Sequence, residues 1–335
     1  MSVGETFEVT GALTVDAGGE LSITDTTLIL PSDVMTLDGD VAVTGGSLTF
    51  PGAEALNLSG TGGFTLVDTG IESIGNLTLS NRLSLNNSSL SVPSQLDLTE
   101  SGILEIIGSN VTSETQTIRG ASAGIFRFVF DEAGISSHWN SVWAFFANSR
   151  LEVDAGAFEG GPGTYRLIHV GSSTNFLPFE EASITITGFD ALGYDTSVAQ
   201  YSDSDSYVEL VLTNNDYGAW CDLHGVPTSE RHISADADMD GVPNLIEYAT
   251  GSSPALNTEK AVALERADGS PSFRFRRRKS SSLTYAVETS QDLVNWTEDG
   301  SLTMQSEESD VDYDQITVPL SSDNTARFIR LKVTQ

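Results

Sequence analysis

Short apolar triplets, in which two apolar residues flank a third residue, recur through the first third of the chain and most strongly constrain its fold. Most of them follow one another at intervals of six to eight residues, and Gly, Asn, Asp, Ser and Pro fill most of the intervening sequence. Each triplet fits a three-residue strand whose ends face inward and whose centre faces outward. The triplets begin at Phe7, Leu13, Leu21, Leu28, Met35, Val41, Leu48, Leu56, Phe64, Leu77, Leu83, Leu90, Leu96 and Leu104.

Three consecutive triplets span about 20–22 residues, the length of one coil of a parallel β-solenoid. The pattern therefore predicts an all-β fold that starts with a β-solenoid (β-helix) of about five coils over residues 1–118. An antiparallel sandwich is the second choice, because it requires longer strands and clearer hairpins. On one solenoid face we expect an inward column of Leu13, Met35, Leu56 and Leu77, with Thr14, Thr36, Asn57 and Thr78 pointing outward.

The threonines of this outer column have two interpretations. An ordered rank of threonines can bind ice or a flat polysaccharide, whereas isolated threonines on a solvated strand are common because β-branched residues favour strands. We favour the second interpretation, since the other two predicted faces are irregular.

Residues 119–214 have longer, more aromatic strands, and we predict that they continue the solenoid and cap it. An alternating strand is expected near residues 125–130, followed by the most aromatic stretch of the chain at 138–146. A solenoid end exposes unpaired backbone and apolar core, so the aromatic residues are expected to cover that end. The alternative is a sugar-binding platform built on Trp139 or Trp143.

Three segments of the predicted solenoid and its cap resemble secreted bacterial β-helical proteins of the autotransporter-associated β-strand repeat type. They are residues 128–136 (FVFDEAGIS), 151–154 (LEVD) and 160–168 (GGPGTYRLI). The resemblance implies a β-helical architecture, which carries many different functions.

The most specific motif is an acidic loop at residues 236–247 with the pattern D-x-D-x-D-G-x5-E. Calcium binds six to eight hard oxygen ligands, and this spacing supplies them from one turn of chain with a glycine at the sharp bend. The predicted ligands are the side chains of Asp236, Asp238, Asp240 and Glu247, the backbone carbonyl of Val242, and Asn244 either directly or through water. The alternative is a solvated acidic turn without a metal.

The flanks of this loop predict two short helices, at Tyr217 to His224 and at Asn244 to Thr250, the second of which is stopped by Gly251 and Pro254. With Pro243 in the loop, the segment resembles a single, unpaired calcium loop of the dockerin or thrombospondin type-3 kind. Residues 219–225 and 247–254 also resemble a linker module near the C-termini of large secreted proteins of environmental bacteria. The resemblance implies that residues 215–258 form a calcium-binding linker.

Residues 259–335 predict a C-terminal immunoglobulin-like or fibronectin-like β-sandwich. Seven short strands at intervals of about ten residues are separated by polar turns, a pattern typical of such sandwiches. Trp296 is expected in the core beside Tyr285 and Phe328. Residues 283–290, 292–296 and 327–331 resemble the terminal module that accompanies the calcium linker.

The only basic cluster lies at residues 273–279, where alternation points Arg274 and Arg276 outward. These two arginines are candidates for binding an acidic polysaccharide, or an acidic solenoid of a second copy of the chain. The alternative is a solvated edge strand whose charges discourage aggregation.

Acids outnumber bases by 47 to 16, giving a formal net charge of −31, which excludes a general nucleic-acid binder. No window approaches 18 apolar residues, so no membrane span is predicted. Residues 1–6 lack a signal peptide, and we expect an extracellular or cell-surface protein whose leader is absent from this sequence. The single cysteine, Cys221, allows no disulfide within the chain.

No catalytic fingerprint stands out, so the sequence favours a non-enzymatic protein. Residues 1–215 contain no lysine to serve as a lyase base, and the acid pairs Asp38 with Asp40 and Asp203 with Asp205 are typical of turns. The first hypothesis is a calcium-stabilised structural or adhesive protein, and self-assembly into fibres is an extension of it. The alternatives are a carbohydrate-binding protein and a remnant of a polysaccharide-degrading β-helix enzyme.

Overall fold

The computed structural model describes most of the chain, and contacts divide it into two compact units. The described residues are 5–9, 13–30, 34–50, 55–71, 75–108, 111–120, 123–135, 139–171, 176–202, 206–256, 260–267, 270–279, 281–320 and 328–334. Unit 1 comprises Met1–Asp190 and Tyr194–Thr213, and unit 2 comprises Ala191–Gly193 and Asn214–Gln335.

Unit 1 is built from 21 strands within the described residues, and most of them are short. They are β1 (Glu5–Glu8), β2 (Leu13–Val15), β3 (Glu20–Ile29), β4 (Val34–Leu37), β5 (Asp40–Thr49), β6 (Ala55–Ser59), β7 (Gly63–Val67), β8 (Gly70–Ile71), β9 (Asn76–Leu79), β10 (Arg82–Asn86), β11 (Ser89–Leu98), β12 (Ile103–Ile107), β13 (Thr112–Gly120), β14 (Ile125–Val129), β15 (Trp139–Phe145), β16 (Arg150–Asp154), β17 (Gly163–Val170), β18 (Phe176–Leu177), β19 (Ile184–Thr187), β20 (Tyr194–Tyr201) and β21 (Ser206–Asn214).

Most of these strands stack in parallel on three faces and form a β-solenoid, as the triplet pattern predicted. The solenoid has about six turns. Face 1 runs from β1 through β8 to the first half of β15 and the end of β17. Face 2 runs from β2 through β9 to β18. Face 3 runs from the first half of β3 through β12 to β19. The long strands β3, β5, β11, β13 and β15 each bend across two faces.

The core of unit 1 consists of inward columns of apolar side chains. On face 3, Leu83 lies opposite Leu104 of the next coil, and Leu104 in turn lies opposite Phe126 of the coil after that. All three side chains are at most 1% exposed. Each coil therefore buries its apolar residues against the next coil, which is the main source of stability in such a repeat.

The predicted inward column of face 2 is only partly right. Leu13 pairs with Met35 and Leu56 pairs with Leu77, as expected, but Met35 pairs with Leu58 instead of Leu56. The outer threonines are split in the same way, because Thr36 lies beside Ser59. A shift of two residues keeps every side chain on its original face, so alternation alone does not determine this register.

The corner between faces 3 and 1 repeats one local motif. A residue with a left-handed backbone conformation ends the part of the strand on face 3. The hydroxyl of the residue that follows donates a hydrogen bond to the carbonyl of the residue that precedes the left-handed one. The left-handed residues Asp25, Asp68 and Asn87 have φ values of 52°, 50° and 47°. The hydroxyl groups belong to Thr26, Thr69 and Ser88, with oxygen–oxygen distances of 2.9, 2.8 and 2.8 Å. These bonds satisfy buried hydroxyls that would otherwise weaken the corner.

Aromatic residues fill the last coils of unit 1. Phe146 stacks on Phe179 at 4.4 Å between ring centroids and meets Phe126 edge-on at 4.9 Å. A second cluster surrounds Phe130 and includes Phe158, at 5.5 Å. Beyond these rings, β21 pairs with β17 in the antiparallel direction and ends the parallel stacking on face 1.

Unit 2 contains two short helices and seven strands among the described residues. The helices are α1 (Asp216–His224) and α2 (Asn244–Thr250), and neither is long and apolar enough to cross a membrane. The strands are β22 (Val262–Ala267), β23 (Ser270–Arg278), β24 (Thr284–Ser290), β25 (Thr297–Glu298), β26 (Gln305–Glu308), β27 (Tyr313–Pro319) and β28 (Phe328–Thr334). They form an antiparallel sheet in the order β22-β23-β27-β26 and a second sheet in the order β25-β24-β28.

The two sheets share a buried cluster, and of the three predicted core residues Tyr285 packs against it. Phe273, Phe275, Val287, Ile316 and Val318 form it. Trp296, expected in this core, lies in a loop and is only half-buried, with the guanidinium of Arg330 4.2 Å from its ring centroid. Phe328 is 37% exposed. The prediction for Trp296 is wrong because residues 291–296 form a turn instead of a strand.

Candidate metal centre

The acidic loop runs into the first turn of α2, and both helices of this region have defined caps. Asn215 caps α1 by accepting a hydrogen bond from the N–H of Gly218 at 2.9 Å, and Gly225 ends that helix with φ of 70°. Gly251 ends α2 in the same left-handed conformation, with φ of 73°. Asn, Gly and Pro at these positions are ordinary helix start and stop signals, which explains why the sequence locates both helices well.

Within the loop, carboxylates accept hydrogen bonds from backbone N–H groups ahead of them in the chain. Asp236 accepts from Asp240 at 3.1 Å and from Gly241 at 2.8 Å. Asp238 accepts from Asp240 at 3.2 Å, and Asp240 accepts from Val242 at 2.8 Å. These bonds coil the chain so that successive acidic side chains turn toward a common centre.

The carboxylates of Asp236, Asp238 and Asp240 converge, with one oxygen of each lying within 4.8 Å of the others. The Oδ2 atom of Asp238 is buried and has no hydrogen-bond partner within the described residues. The pKa of Asp238 is raised, first by desolvation of its carboxylate and then by the negative charges of Asp240 and Asp236. Three converging carboxylates with an unsatisfied oxygen provide the kind of hard oxygen donors that calcium binds, so these residues fit the ion.

Asn244 has a different geometry from that of a calcium ligand. Its side chain is fully buried, its Nδ2 donates to the carbonyl of Glu230 at 2.6 Å, and its Oδ1 accepts from the N–H of Ala237 at 3.3 Å. These bonds tie the loop to the preceding chain. In this structure Asn244 is therefore a scaffold residue of the loop, because its amide is already bonded to backbone groups.

The other two predicted ligands occupy different environments. Glu247 lies in the first turn of α2, and its side chain is 1% exposed. Val242, whose carbonyl was predicted as a ligand, is half-buried, and its N–H is held by Asp240. The structure thus groups three of the predicted side chains into one cluster and places the remaining candidates along the loop and the helix.

The two tryptophans proposed as a sugar platform differ in exposure. Trp139 is 1% exposed, because its register opposite Ser113 and Ile168 on face 1 turns the indole into the solenoid. Trp139 therefore offers no open ring face, and its proposed role as a platform is corrected. Trp143, on the same strand, is 38% exposed.

The basic strand β23 is neutralised within unit 2. Arg274 pairs with Glu265 at 2.8 Å, and Arg276 pairs with Asp310 at 2.5 Å while lying 4.2 Å from the ring centroid of Tyr313. Acids on the neighbouring strands or turns thus already contact both candidate ligand-binding arginines. This pairing argues against binding of an acidic polymer by these arginines, since a new anion would have to compete with the carboxylates that they already contact.

Asp38 and Asp40, considered above as a possible pair of catalytic acids, accept hydrogen bonds from the backbone of the solenoid. Asp38 accepts from the N–H of Thr61 at 3.1 Å, and Asp40 accepts from the N–H of Gly63 at 2.8 Å. Each carboxylate therefore fastens one coil to the next. The second predicted acid pair, Asp203 with Asp205, lies outside the described residues.

A groove that sequence reasoning did not anticipate lies on unit 1, at the corner between faces 1 and 2. Its volume is about 500 Å³, and its described lining includes Ser91, Gln116, Asn140, Val142 and His169. These residues are far apart in sequence, and no motif connects them. Only the strand register brings them together.

Comparisons with known proteins add no relative to these observations. A scan against protein-family models, a search of curated proteins and a search of solved structures each find no match to this chain. The fold itself defines the chain as a β-solenoid protein.

Proposed function

We propose that this chain is a non-enzymatic structural and adhesive protein of the extracellular space or the cell surface, and that calcium stabilises its C-terminal unit. The observation that carries the proposal is the convergence of the carboxylates of Asp236, Asp238 and Asp240, with a buried oxygen on Asp238 that no described residue hydrogen-bonds. Bound calcium would neutralise the mutual repulsion of these acids and rigidify the loop before α2.

The structural part of the proposal rests on how the solenoid uses its charged residues. On face 3, Arg127 pairs with Glu152 at 2.5 Å and with Glu105 at 3.5 Å, and these three residues occupy adjacent coils. Asp38 and Asp40 bind backbone groups of the next coil. Side chains that join coils to one another are those expected in a stiff scaffold.

Further support comes from the resemblances noted in the sequence. Segments of the solenoid and the acidic loop with its flanks resemble parts of secreted bacterial proteins. The two antiparallel sheets of unit 2, which share a buried cluster, support the expected immunoglobulin-like or fibronectin-like sandwich. Calcium is abundant outside cells, where it also screens the net charge of −31.

The experiment is a thermal melt of the full chain in 2 mM calcium and in excess EDTA. A ligand at about 100 times its Kd adds about 2.7 kcal/mol of stability, so we expect an increase of several degrees in the melting temperature of unit 2. The increase should vanish in Asp238→Asn and persist in Glu307→Gln, which removes an exposed acid from the same unit. An equal melting temperature in calcium and EDTA would remove calcium from the proposal.

Self-assembly is tested in the same samples by light scattering. β1 pairs with β3, and β2 pairs with β4, leaving one side of each open to another strand within the described part of unit 1. Strand edges of this kind can join copies end to end into fibres. Strictly monomeric protein in calcium would limit the function to that of a single-molecule scaffold.

A further inference from the structure

We propose that the groove at the corner of faces 1 and 2 binds a neutral, hydroxyl-rich glycan. The inference rests on the adhesive role proposed above and gives that role a ligand class. A volume of about 500 Å³ lies within the range of about 300–1,000 Å³ that is typical of small-ligand sites.

A bulge in the strand register lies at the groove, since Pro93 and Gln116 both line it. β11 places two residues, Pro93 and Ser94, opposite the single residue Gln116 of β13, and the register resumes at Gln95. Bulges bend a strand and re-aim its side chains, and they are common beside binding sites. Here the bulge lies at the corner where β11, β13 and β15 turn from face 1 to face 2.

One wall of the groove contains two polar side chains, Asn140 and His169, that are already oriented for hydrogen bonding. Asn140 lies beside His169 on adjacent strands, and Asn140 Oδ1 is 3.1 Å from His169 Nδ1. The amide of Asn140 also donates to the carbonyl of Ser113 at 3.4 Å, which fixes its orientation. Fixed amide and imidazole groups lose little conformational entropy when they bind the hydroxyls of a ligand.

The corner adds an apolar and aromatic surface to this polar wall. Val142 is 45% exposed, and Trp143, the next residue of β15, is 38% exposed. Val142 lines the groove itself, whereas Trp143 is exposed on the same strand outside the described lining. Flat apolar faces next to hydrogen-bonding side chains match the two kinds of surface on a sugar ring.

The negative charge of the surface around the groove favours a neutral glycan over an acidic one. The described lining of the groove contains no lysine or arginine, and residues 1–215 carry 27 acids against five arginines. A polyuronate would meet repulsion from this surface, whereas an uncharged glycan would not.

The test is isothermal titration of the full chain in 2 mM calcium with cellohexaose, xylohexaose, mannohexaose and chitohexaose, and with hexagalacturonate as the acidic probe. We expect at least one neutral hexasaccharide to bind and hexagalacturonate not to bind. Val142→Arg fills the groove from an exposed position and should weaken binding at least tenfold, as should Asn140→Ala. His232→Ala, which removes an exposed histidine from unit 2, should leave binding unchanged.

Two results would overturn the inference: no binding of any neutral hexasaccharide, or binding that Val142→Arg and Asn140→Ala both leave unchanged. Tighter binding of hexagalacturonate than of every neutral probe would also overturn it. Melting curves of each variant separate lost binding from lost folding. The calcium melt tests the proposed function on unit 2, so either proposal can fail without the other.

Discussion

The guanidinium of Arg278 lies 4.1 Å from the ring centroid of Tyr248, and its Nε donates to the backbone carbonyl of the same residue at 2.9 Å. The contact joins strand β23 to helix α2, which directly follows the acidic loop. Arg278 also lies 4.9 Å from the ring centroid of Tyr313 and hydrogen-bonds its hydroxyl. Arg278 thus helps to hold the helix beside the acidic cluster to the C-terminal strands, together with Tyr285, whose hydroxyl donates to the carbonyl of Ala249 at 3.0 Å.

We therefore expect Arg278→Lys to destabilise unit 2 by about 1–2 kcal/mol, because an ammonium group cannot reproduce the planar fork of donors between two aromatic rings. Urea unfolding monitored by tryptophan fluorescence measures the change. Arg277→Lys is the matched control, since Arg277 lies next to Arg278 on the same strand and pairs with Asp314 of β27 at 3.1 Å. Equal losses for the two variants would contradict the special role of Arg278.

Asn244→Asp distinguishes a scaffold residue from a calcium ligand. A carboxylate at this position loses the donor to Glu230 and places a negative charge beside backbone carbonyls, so we expect a loss of about 2–3 kcal/mol in EDTA. If Asn244 binds calcium directly, the added charge should instead strengthen calcium binding. Thermal melts with and without calcium give the answer, and Asn57→Asp on the outer face of unit 1 is the control.

The ion pairs of Arg127 predict a salt-dependent contribution to the stability of the solenoid. Arg127→Gln leaves Glu105 and Glu152 without their shared cation, and we expect a loss of about 1 kcal/mol at low ionic strength. The loss should shrink in 1 M salt, where the screening length is about 3 Å. Arg150→Gln changes an exposed arginine of β16 and should have little effect. A loss that is independent of salt would indicate packing instead of charge.

The corner between faces 2 and 3 leaves no room for a side chain at Gly62. A methyl group there would lie 2.0 Å from the carbonyl oxygen of Gly39 in the previous coil. Gly62→Ala should therefore destabilise unit 1 by about 1–3 kcal/mol through forced displacement of the coils. Gly161→Ala is the control, because a methyl group at Gly161 meets no atom of the described residues within 4 Å. Circular dichroism melts compare the two variants, and similar melting temperatures would refute the close stacking.

Asp292 predicts an acid-dependent contribution to the stability of unit 2. Hydrogen bonds from the N–H and side-chain amide of Asn295, and from the N–H of Val294, hold the pKa of Asp292 well below its usual range. Because the pKa of Asp292 is lower in the folded state, its carboxylate contributes its full stabilisation at pH values above the unfolded-state pKa of about 3.9. The contribution is lost as the pH falls from that value toward the folded-state pKa. Asp292→Asn should thus lower the melting temperature at pH 7. The difference in melting temperature between the unchanged protein and the variant should become smaller below pH 4. A constant difference down to pH 2 would contradict this assignment.

The solenoid could be predicted because its signal is local and repeated. The triplets define which side chains point inward, and turn residues mark where the chain bends, so coil length and core composition follow from the sequence. The helices α1 and α2 were predicted nearly to the residue, with Gly251 and Pro254 as the stop signals of α2. The structure adds Asn215 and Gly225 as the caps of α1. The clustering of the acidic loop is also local, since its carboxylates bind N–H groups two to five residues ahead.

The candidate sites outside the loop could not be predicted in the same way. The burial of Trp139 depends on its register with strands before and after it, and the pairing of Arg276 depends on Asp310, which is distant in the sequence. Asn244 was assigned from its motif position, yet its Nδ2 donates to the carbonyl of Glu230, which precedes the loop. Each of these outcomes depends on a neighbour that sequence spacing does not identify.

The sequence by itself therefore determined the solenoid, its repeat length, the two helices and the acidic loop. Only the tertiary structure decided that Met35 lies beside Leu58, that Trp139 is inside the solenoid, and that Asn140 and His169 form one wall of a groove. The physical reason is that alternation has a period of two residues and is unchanged by a shift of two. Which strand lies beside which is settled by packing between whole coils.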